Sequence, residues 1–260
     1  MSLLSAQMPA PSVVPESLAV PASQQPSLFS SLLSTTSEIL WPTRCISCNA
    51  PGELLCAHCR EALAWINQRW ACVDCGAPFG WLTCSSCDHS WEALDGVVCA
   101  TSFVGTCARM VVALKDEHET RLAPILAAAM ATALDEAQGW QHINLAVFDA
   151  LMFVPATHKA FVRRGFDHME LVASALSAFI DIPLVDVLVR RQAHDQRKLN
   201  KTQRAANLAG TIELIDDVRA ANVLLVDDVV TTGASMCACA QALKTSGVNQ
   251  VIGCGFSRVW

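Results

Sequence analysis

Four C-x-x-C pairs fall within 43 residues: Cys45/Cys48, Cys56/Cys59, Cys72/Cys75 and Cys84/Cys87. No other feature restricts the fold so tightly. Two sulfurs separated by a tight turn reach the same point in space, and two such pairs complete a tetrahedral zinc site of four thiolates. Four pairs therefore imply two structural Zn²⁺ ions and a small double ribbon, expected over 38–92. A redox pair would explain one C-x-x-C, not four. A disulfide framework belongs to exported chains, and no Lys or Arg precedes Arg44 to start an export signal. The simplest pairing joins the first two pairs on one ion and the last two on the other; an interleaved pairing stays open. A closed four-thiolate site has no open position for substrate, so its role is structural.

The ribbon is a poor nucleic-acid surface. Each zinc with four thiolates carries a formal −2, and the basic residues nearby are only Arg44, Arg60 and Arg69. Trp41, Trp65, Trp70, Trp81 and Trp91 lie on and around it. They are read as packing over the metal sites or forming a protein interface rather than stacking on bases. Ahead of the ribbon, residues 1–37 carry Pro9, Pro11, Pro15, Pro21 and Pro26 among many Ser, Gln and Ala, which reads as a disordered leader. Cys99, Cys107, Cys237, Cys239 and Cys254 sit in apolar surroundings and read as small buried hydrophobes.

Although 52% of the chain is hydrophobic, its longest apolar stretches (122–134 and 143–155) fall short of the roughly 20 residues a membrane span needs. No membrane insertion is expected, and the location expected is the cytoplasm. The net charge of −6 is unevenly spread: residues 159–204 hold 9 of the 18 Lys and Arg against 5 acids. Such a cluster implies a local anion site more than a general nucleic-acid surface.

From residue 93 to 260 strand-like and helix-like segments alternate. Strands are expected at 95–104, 145–156, 183–190, 223–228 and 248–257, and helices at 107–115, 121–137, 170–180 and 234–247. This is the pattern of an α/β domain with a mainly parallel sheet, whose ligands bind at the carboxyl ends of the strands. The apolar strand VLLV ends on Asp227 and Asp228, followed by Val229, Val230, Thr231, Thr232, Gly233, Ala234 and Ser235 at the start of a helix. Small and hydroxyl residues at a helix N-terminus make an anion pocket. Two acids would repel a phosphate but suit sugar hydroxyls, or a divalent cation held through the ligand. Phosphate at one end and a diol at the other describe a ribose 5-phosphate. No P-loop or dinucleotide-binding glycine pattern is present.

VLLVDDVVTTGAS resembles the phosphoribosyl-pyrophosphate (PRPP) loop of type I phosphoribosyltransferases. Four C-x-x-C pairs ahead of it are similar to the ComF/GntX family, a double zinc ribbon followed by a phosphoribosyltransferase domain. VPATHKAFVRRGFDHMELVASAL (154–176), ARMVVALKDE (108–117) with Lys115, and the spaced Gln196, Leu199, Arg204 and Asn207 extend the resemblance over about 41–257. Two features depart from it: Asp167-His168 stands where the family has Asn-Gln, and no Tyr precedes the Lys115 helix, where Val104 stands.

The resemblance implies that Asp227 and Asp228 meet the ribose hydroxyls in the catalytic role, that Thr231, Thr232, Gly233, Ala234 and Ser235 wrap the 5′-phosphate, and that Mg²⁺ accompanies PRPP. Lys159, Arg163 and Arg164 follow a strand end and are the candidates for the pyrophosphate side, because guanidinium groups pair well with phosphate oxygens. The basic stretch 190–204 reads as a loop able to close over the ligand. His158, His168 and His194 are candidate acid/base groups, with the surface reading preferred for each. Two functions follow: a phosphoribosyltransferase of nucleotide metabolism or of DNA uptake in natural competence, with its acceptor open; or a non-catalytic PRPP or nucleotide sensor or DNA-uptake adaptor whose ribbon recruits a protein partner. Single-stranded DNA is the weaker partner, since the charge outside 159–204 is acidic.

Overall fold

The structure, a computed structural model, describes residues 43–80, 84, 85, 87, 91–190 and 212–260. The expected leader, Trp41, Trp81, His194, Gln196, Leu199, Arg204, Asn207 and the basic loop beyond Arg190 lie outside the described residues. In chain order the elements are α1 (Ala57–Glu61), β1 (Gly96–Ser102), α2 (Gly105–Asp116), α3 (Ala123–Gly139), β2 (Ala150–Phe153), α4 (His158–Arg164), α5 (His168–Ile180), β3 (Leu188–Arg190), β4 (Ile212–Leu214), β5 (Asn222–Val230), α6 (Ala234–Thr245) and β6 (Gln250–Arg258).

Four strands form one sheet in the order β1-β6-β5-β2, and every pairing is parallel. The mainly parallel sheet expected from the alternating pattern is therefore present. Its strands are buried on both faces, which explains why they read as near-continuous apolar runs. Side-chain alternation divides them between two cores. Val98, Ala100, Leu151, Phe153, Leu224, Val226 and Cys254 face the layer of α2, α3 and α5, with Met110, Leu114, Met130 and Leu176. Val97, Cys99, Met152, Val223, Leu225 and Val251 face the other way, toward Met236 and Leu243 of α6. Cys99, Cys107, Cys239 and Cys254 are buried in these cores and Cys237 is half-buried. Burial pushes the Cys237 thiol up to about 11 and those of Cys99 and Cys239 to about 12, as expected of inert packing residues.

Three segments differ from expectation. The strand expected over 145–156 begins only at Ala150, because Asn144 accepts a hydrogen bond from Ala146 N (3.1 Å) and turns Leu145–Val147 into a 3₁₀ helix. The strand expected over 183–190 is shorter: Leu184 bridges Leu151 at the sheet edge, and only Leu188–Arg190 is a strand, antiparallel to β4. The segment after Pro155, with no expected element, forms helix α4, capped by Thr157 and ended by Gly165 at φ 79°. Among the described residues no helix is long and apolar enough to cross a membrane.

Candidate functional site

The cysteines form two quartets in sequential order: Cys45, Cys48, Cys56, Cys59 and Cys72, Cys75, Cys84, Cys87. The sulfurs of each quartet lie within 4.8 Å of one another. Sulfur–sulfur distances between pairs are 3.7 Å for Cys48–Cys56, 3.8 Å for Cys72–Cys87 and 3.6 Å for Cys75–Cys84. A tetrahedron with Zn–S bonds of about 2.3 Å has sulfurs about 3.8 Å apart. The donor set thus fits zinc in composition and spacing, and the interleaved pairing is excluded. The tryptophans divide: Trp91 is buried, while Trp65 and Trp70 are exposed, with Arg69 stacked between Trp70 and Trp140 at 4.6 and 4.8 Å from the ring centroids.

The second constellation lies at the carboxyl end of β5. Asp227 and Asp228 are neighbours in an extended strand, so their side chains leave opposite faces of the sheet. Asp227 lines a cleft with Val229, Val230, Thr231, Thr232, Gly233, Ala234, Ser235 and Met236. Thr231 and Thr232 are exposed there. Gly233, in the left-handed region at φ 73°, turns the chain into α6. The first bond of that helix runs from Cys237 N to Gly233 O (2.8 Å); of the amides before it, that of Ala234 donates to Thr232 Oγ1 in a long bond (3.4 Å) that an anion would have to displace.

Asp228 faces the α2–α5 layer instead. It is buried, forms an ion pair with Lys115 in the last turn of α2, and accepts a hydrogen bond from His168 Nε2 (2.7 Å) at the start of α5. Arg164 Nη1 lies 3.1 Å from His168 Nδ1. A guanidinium can only donate, so Nδ1 must accept and Nε2 carries the proton. The bonds run in one direction, Arg164 to His168 to Asp228. Burial alone would raise the Asp228 carboxyl; the His168 hydrogen bond and the Lys115 charge outweigh it and hold it down at about 2. Burial and the Asp228 charge push Asp227 well above the ordinary carboxylate range. The adjacent acids are tolerated because one is ionised and paired, while the other resists ionisation until something offsets its charge.

The structure gathers Asp227 and the 231–235 loop at one cleft. It does not bring Lys159, Arg163 and Arg164 to that lining. Lys159 is exposed, Arg163 pairs with Asp116 at 2.9 Å, and Arg164 is held against His168 with its Nε unpartnered among the described residues. Expected on the surface, His168 is buried: Asp167 and Arg164 turn its ring inward. The Asp-His departure also has a physical reason at Asp167. One carboxylate oxygen accepts from Met169 N (2.9 Å), capping α5, and the other accepts from Ala156 N (2.8 Å). Asp167→Ala removes both acceptors and should cost about 1–2 kcal/mol in urea unfolding, with Asp167→Asn losing less.

The sequence model of the phosphoribosyl transferase domain matches residues 162–256. "Competence protein F" of Haemophilus influenzae is 25% identical over 226 residues, covering 83% of this chain and 96% of that protein. "DNA utilization protein YhgH" of Escherichia coli is 25% identical over 218 residues, covering 81% of this chain and 94% of the relative. A solved hypoxanthine phosphoribosyltransferase from Trypanosoma cruzi aligns at TM-score 0.32 and 11% identity over 52% of this chain and 67% of that one, too loosely to carry weight.

Proposed function

On the premise that this chain belongs to the ComF/GntX family, a double cysteine-quartet module with a phosphoribosyltransferase-fold domain, we propose that its cleft binds PRPP or a related ribose 5-phosphate. The observation that carries the reading is the pairing of a partly exposed carboxylate with a helix-start loop in a single cleft, Asp227 with 229–236. The 5′-phosphate would take the Thr231 and Thr232 hydroxyls and the amides at the start of α6, aided by the helix dipole. Ribose hydroxyls would donate to Asp227. Mg²⁺, when bound with the ligand, would neutralise pyrophosphate charge. Lys159, Arg163 and Arg164, on the connection after β2, are proposed for the pyrophosphate side; Arg163 would exchange Asp116 for a phosphate oxygen.

In the catalytic version, Asp227 orients the ribose from the cleft and Asp228 joins it by exchanging its Lys115 and His168 contacts for a ribose hydroxyl; the bond from C1′ to pyrophosphate breaks, and a nucleophile of open identity forms the new bond at C1′. Relatives named for competence and DNA utilisation support a role in taking up or using external DNA. The proposed compartment is the cytoplasm, whose reducing poise keeps the quartet thiolates unpaired. A second reading is a non-catalytic PRPP or nucleotide sensor, with the cysteine module recruiting a protein partner. Asp228 favours it: Lys115 and His168 engage this acid, leaving Asp227 to face the ligand.

PRPP with Mg²⁺ at about 100-fold over its Kd should stabilise the protein by about 2.7 kcal/mol, a rise in Tm of roughly 5–10 °C for this size. No rise in wild type would sink the binding proposal. Pyrophosphate release with an acceptor panel then separates the transferase from the sensor, which binds without turnover.

A further inference from the structure

The two quartets are not equivalent neighbours of the ligand cleft. Cys45 and Cys59 pack into the core shared with α2 and α3, beside Met110 and Leu114. Hydrogen bonds tie that segment to α2, one between the Ser47 and Thr106 hydroxyls (2.7 Å) and one from Arg109 Nη2 to Ser47 O (3.2 Å). Cys72 and Cys75 pack into the opposite core with Trp91, Val230 and Met236, directly behind the cleft.

Two buried side chains join that second quartet to the loop. Arg258, at the end of β6, is only 2% exposed. Its Nε donates to Cys75 O (2.9 Å), and its Nη1 donates to Val230 O (3.1 Å) and Thr231 O (2.5 Å) and also reaches Val259 O. One rigid guanidinium thus bridges a metal-ligand residue and the turn that follows the acidic pair. Its carbon lies 5.2 Å from the centroid of the Trp91 ring. That ring is the floor of the loop: a Cβ added at Gly233 would lie 2.4 Å from it.

Charge points the same way. Among the described residues Arg258 has no carboxylate partner; its contacts are carbonyl oxygens and one ring. A metal held by four thiolates carries a formal −2, so a loaded second quartet supplies the negative charge this buried cation otherwise lacks.

We infer that the second quartet, through Arg258 and Trp91, sets the shape of loop 229–236, so that metal occupancy there and sugar-phosphate binding at the cleft are coupled. Arg258 is a positioning residue in this scheme; it acts through the backbone of Val230 and Thr231. Coupling between sites is reciprocal, so a ligand in the cleft also slows metal loss from the second quartet. The ligand half of the inference rests on the proposed PRPP reading; the loop-shape half does not.

The test uses the zinc-loaded full chain. Amide hydrogen exchange of 229–236 and the Kd for PRPP with Mg²⁺ are compared in wild type, Cys48→Ser, Cys87→Ser, Arg258→Lys and Arg258→Met. The expected result is at least tenfold faster exchange of the loop and at least tenfold weaker PRPP binding in Cys87→Ser. Both losses should exceed those in Cys48→Ser at least fivefold. Arg258→Met should reproduce the loss with both quartets still holding zinc, and Arg258→Lys should recover part of it. Equal losses from the two quartets, or unchanged loop exchange in Arg258→Met, would overturn the inference. If Cys87→Ser does not fold, zinc release to a chelator decides: PRPP should slow the release of one ion of two. Should wild type not bind PRPP, the exchange arm still tests the loop, and only the functional proposal falls.

Discussion

Asp227→Asn should stabilise the empty protein at neutral pH and abolish its response to PRPP, while Asp228→Asn should destabilise it. The opposite signs follow from the opposite environments of two adjacent carboxyls. Burial and the Asp228 charge hold Asp227 high. A group raised above its unfolded value supports folding at low pH and loses that support as pH rises through the folded value. Asn at 227 removes this opposition, with a gain of about 1 kcal/mol, the size commonly recovered by relieving strain at a site kept for function.

Asp228 has the other sign. Its carboxyl is held at about 2 by His168 and Lys115 against the cost of burial. Relative to an unperturbed value of about 3.9, that contributes roughly 2–3 kcal/mol above pH 4, lost as pH falls toward 2. Asn at 228 forfeits it at neutral pH and leaves Lys115 without its buried partner, lowering Tm by roughly 5–10 °C. Thermal melts from pH 3 to 8 check both: Asp228→Asn should flatten the acid limb, and Asp227→Asn should flatten the fall toward higher pH. A shared sign for the two variants would contradict the division of the pair. Ligand binding carries its own signature. Sugar hydroxyls and a cation favour ionised Asp227, so PRPP affinity should rise with pH and calorimetry should detect proton release.

What the chain discloses in one dimension depends on how local the chemistry is. The quartets are legible because a C-x-x-C turn is itself a chelating unit, and the sequential pairing only selects between two arrangements of known parts. The loop is legible because strand, acids, small residues and helix start are contiguous. His168, Arg258 and Trp91 are different. Each reaches the site across the fold, His168 from 60 positions before Asp228 and Arg258 from 28 positions after Val230. One signal was available: Arg258 is a lone cation ending an apolar strand, VIGCGFSR, as the acids end VLLV. A charge at that place costs burial unless it is partnered. In β3 the apolar run PLVDVLVR carried no register information, and the β2 edge took Leu184 as a single bridge. Periodicity cannot separate a strand from an extended edge segment.

Metal removal should have the largest effect on the fold. The segment 43–80 is mostly turns, with one helix of five residues. Little backbone pairing holds it without metal, yet Cys45, Leu55, Cys59 and Leu63 are part of the α2–α3 core, and Cys72, Cys75 and Ala77 of the other. Structural zinc is worth about 10–16 kcal/mol in isolated finger peptides, where it supplies nearly all of the folding energy. Here the docked apolar faces share that task, so about 5 kcal/mol per ion is the expected contribution. Stripping one quartet should then lower Tm by roughly 10–20 °C, and stripping both should break the cooperative transition. The parallel sheet owes nothing to the metal in its own pairing, so far-UV circular dichroism should keep most of its helix signal. A chelator titration followed by calorimetry and metal analysis reads all three. Two zinc ions per chain in the untreated protein, and melting unchanged after both are gone, would refute the structural role while leaving the quartet geometry intact.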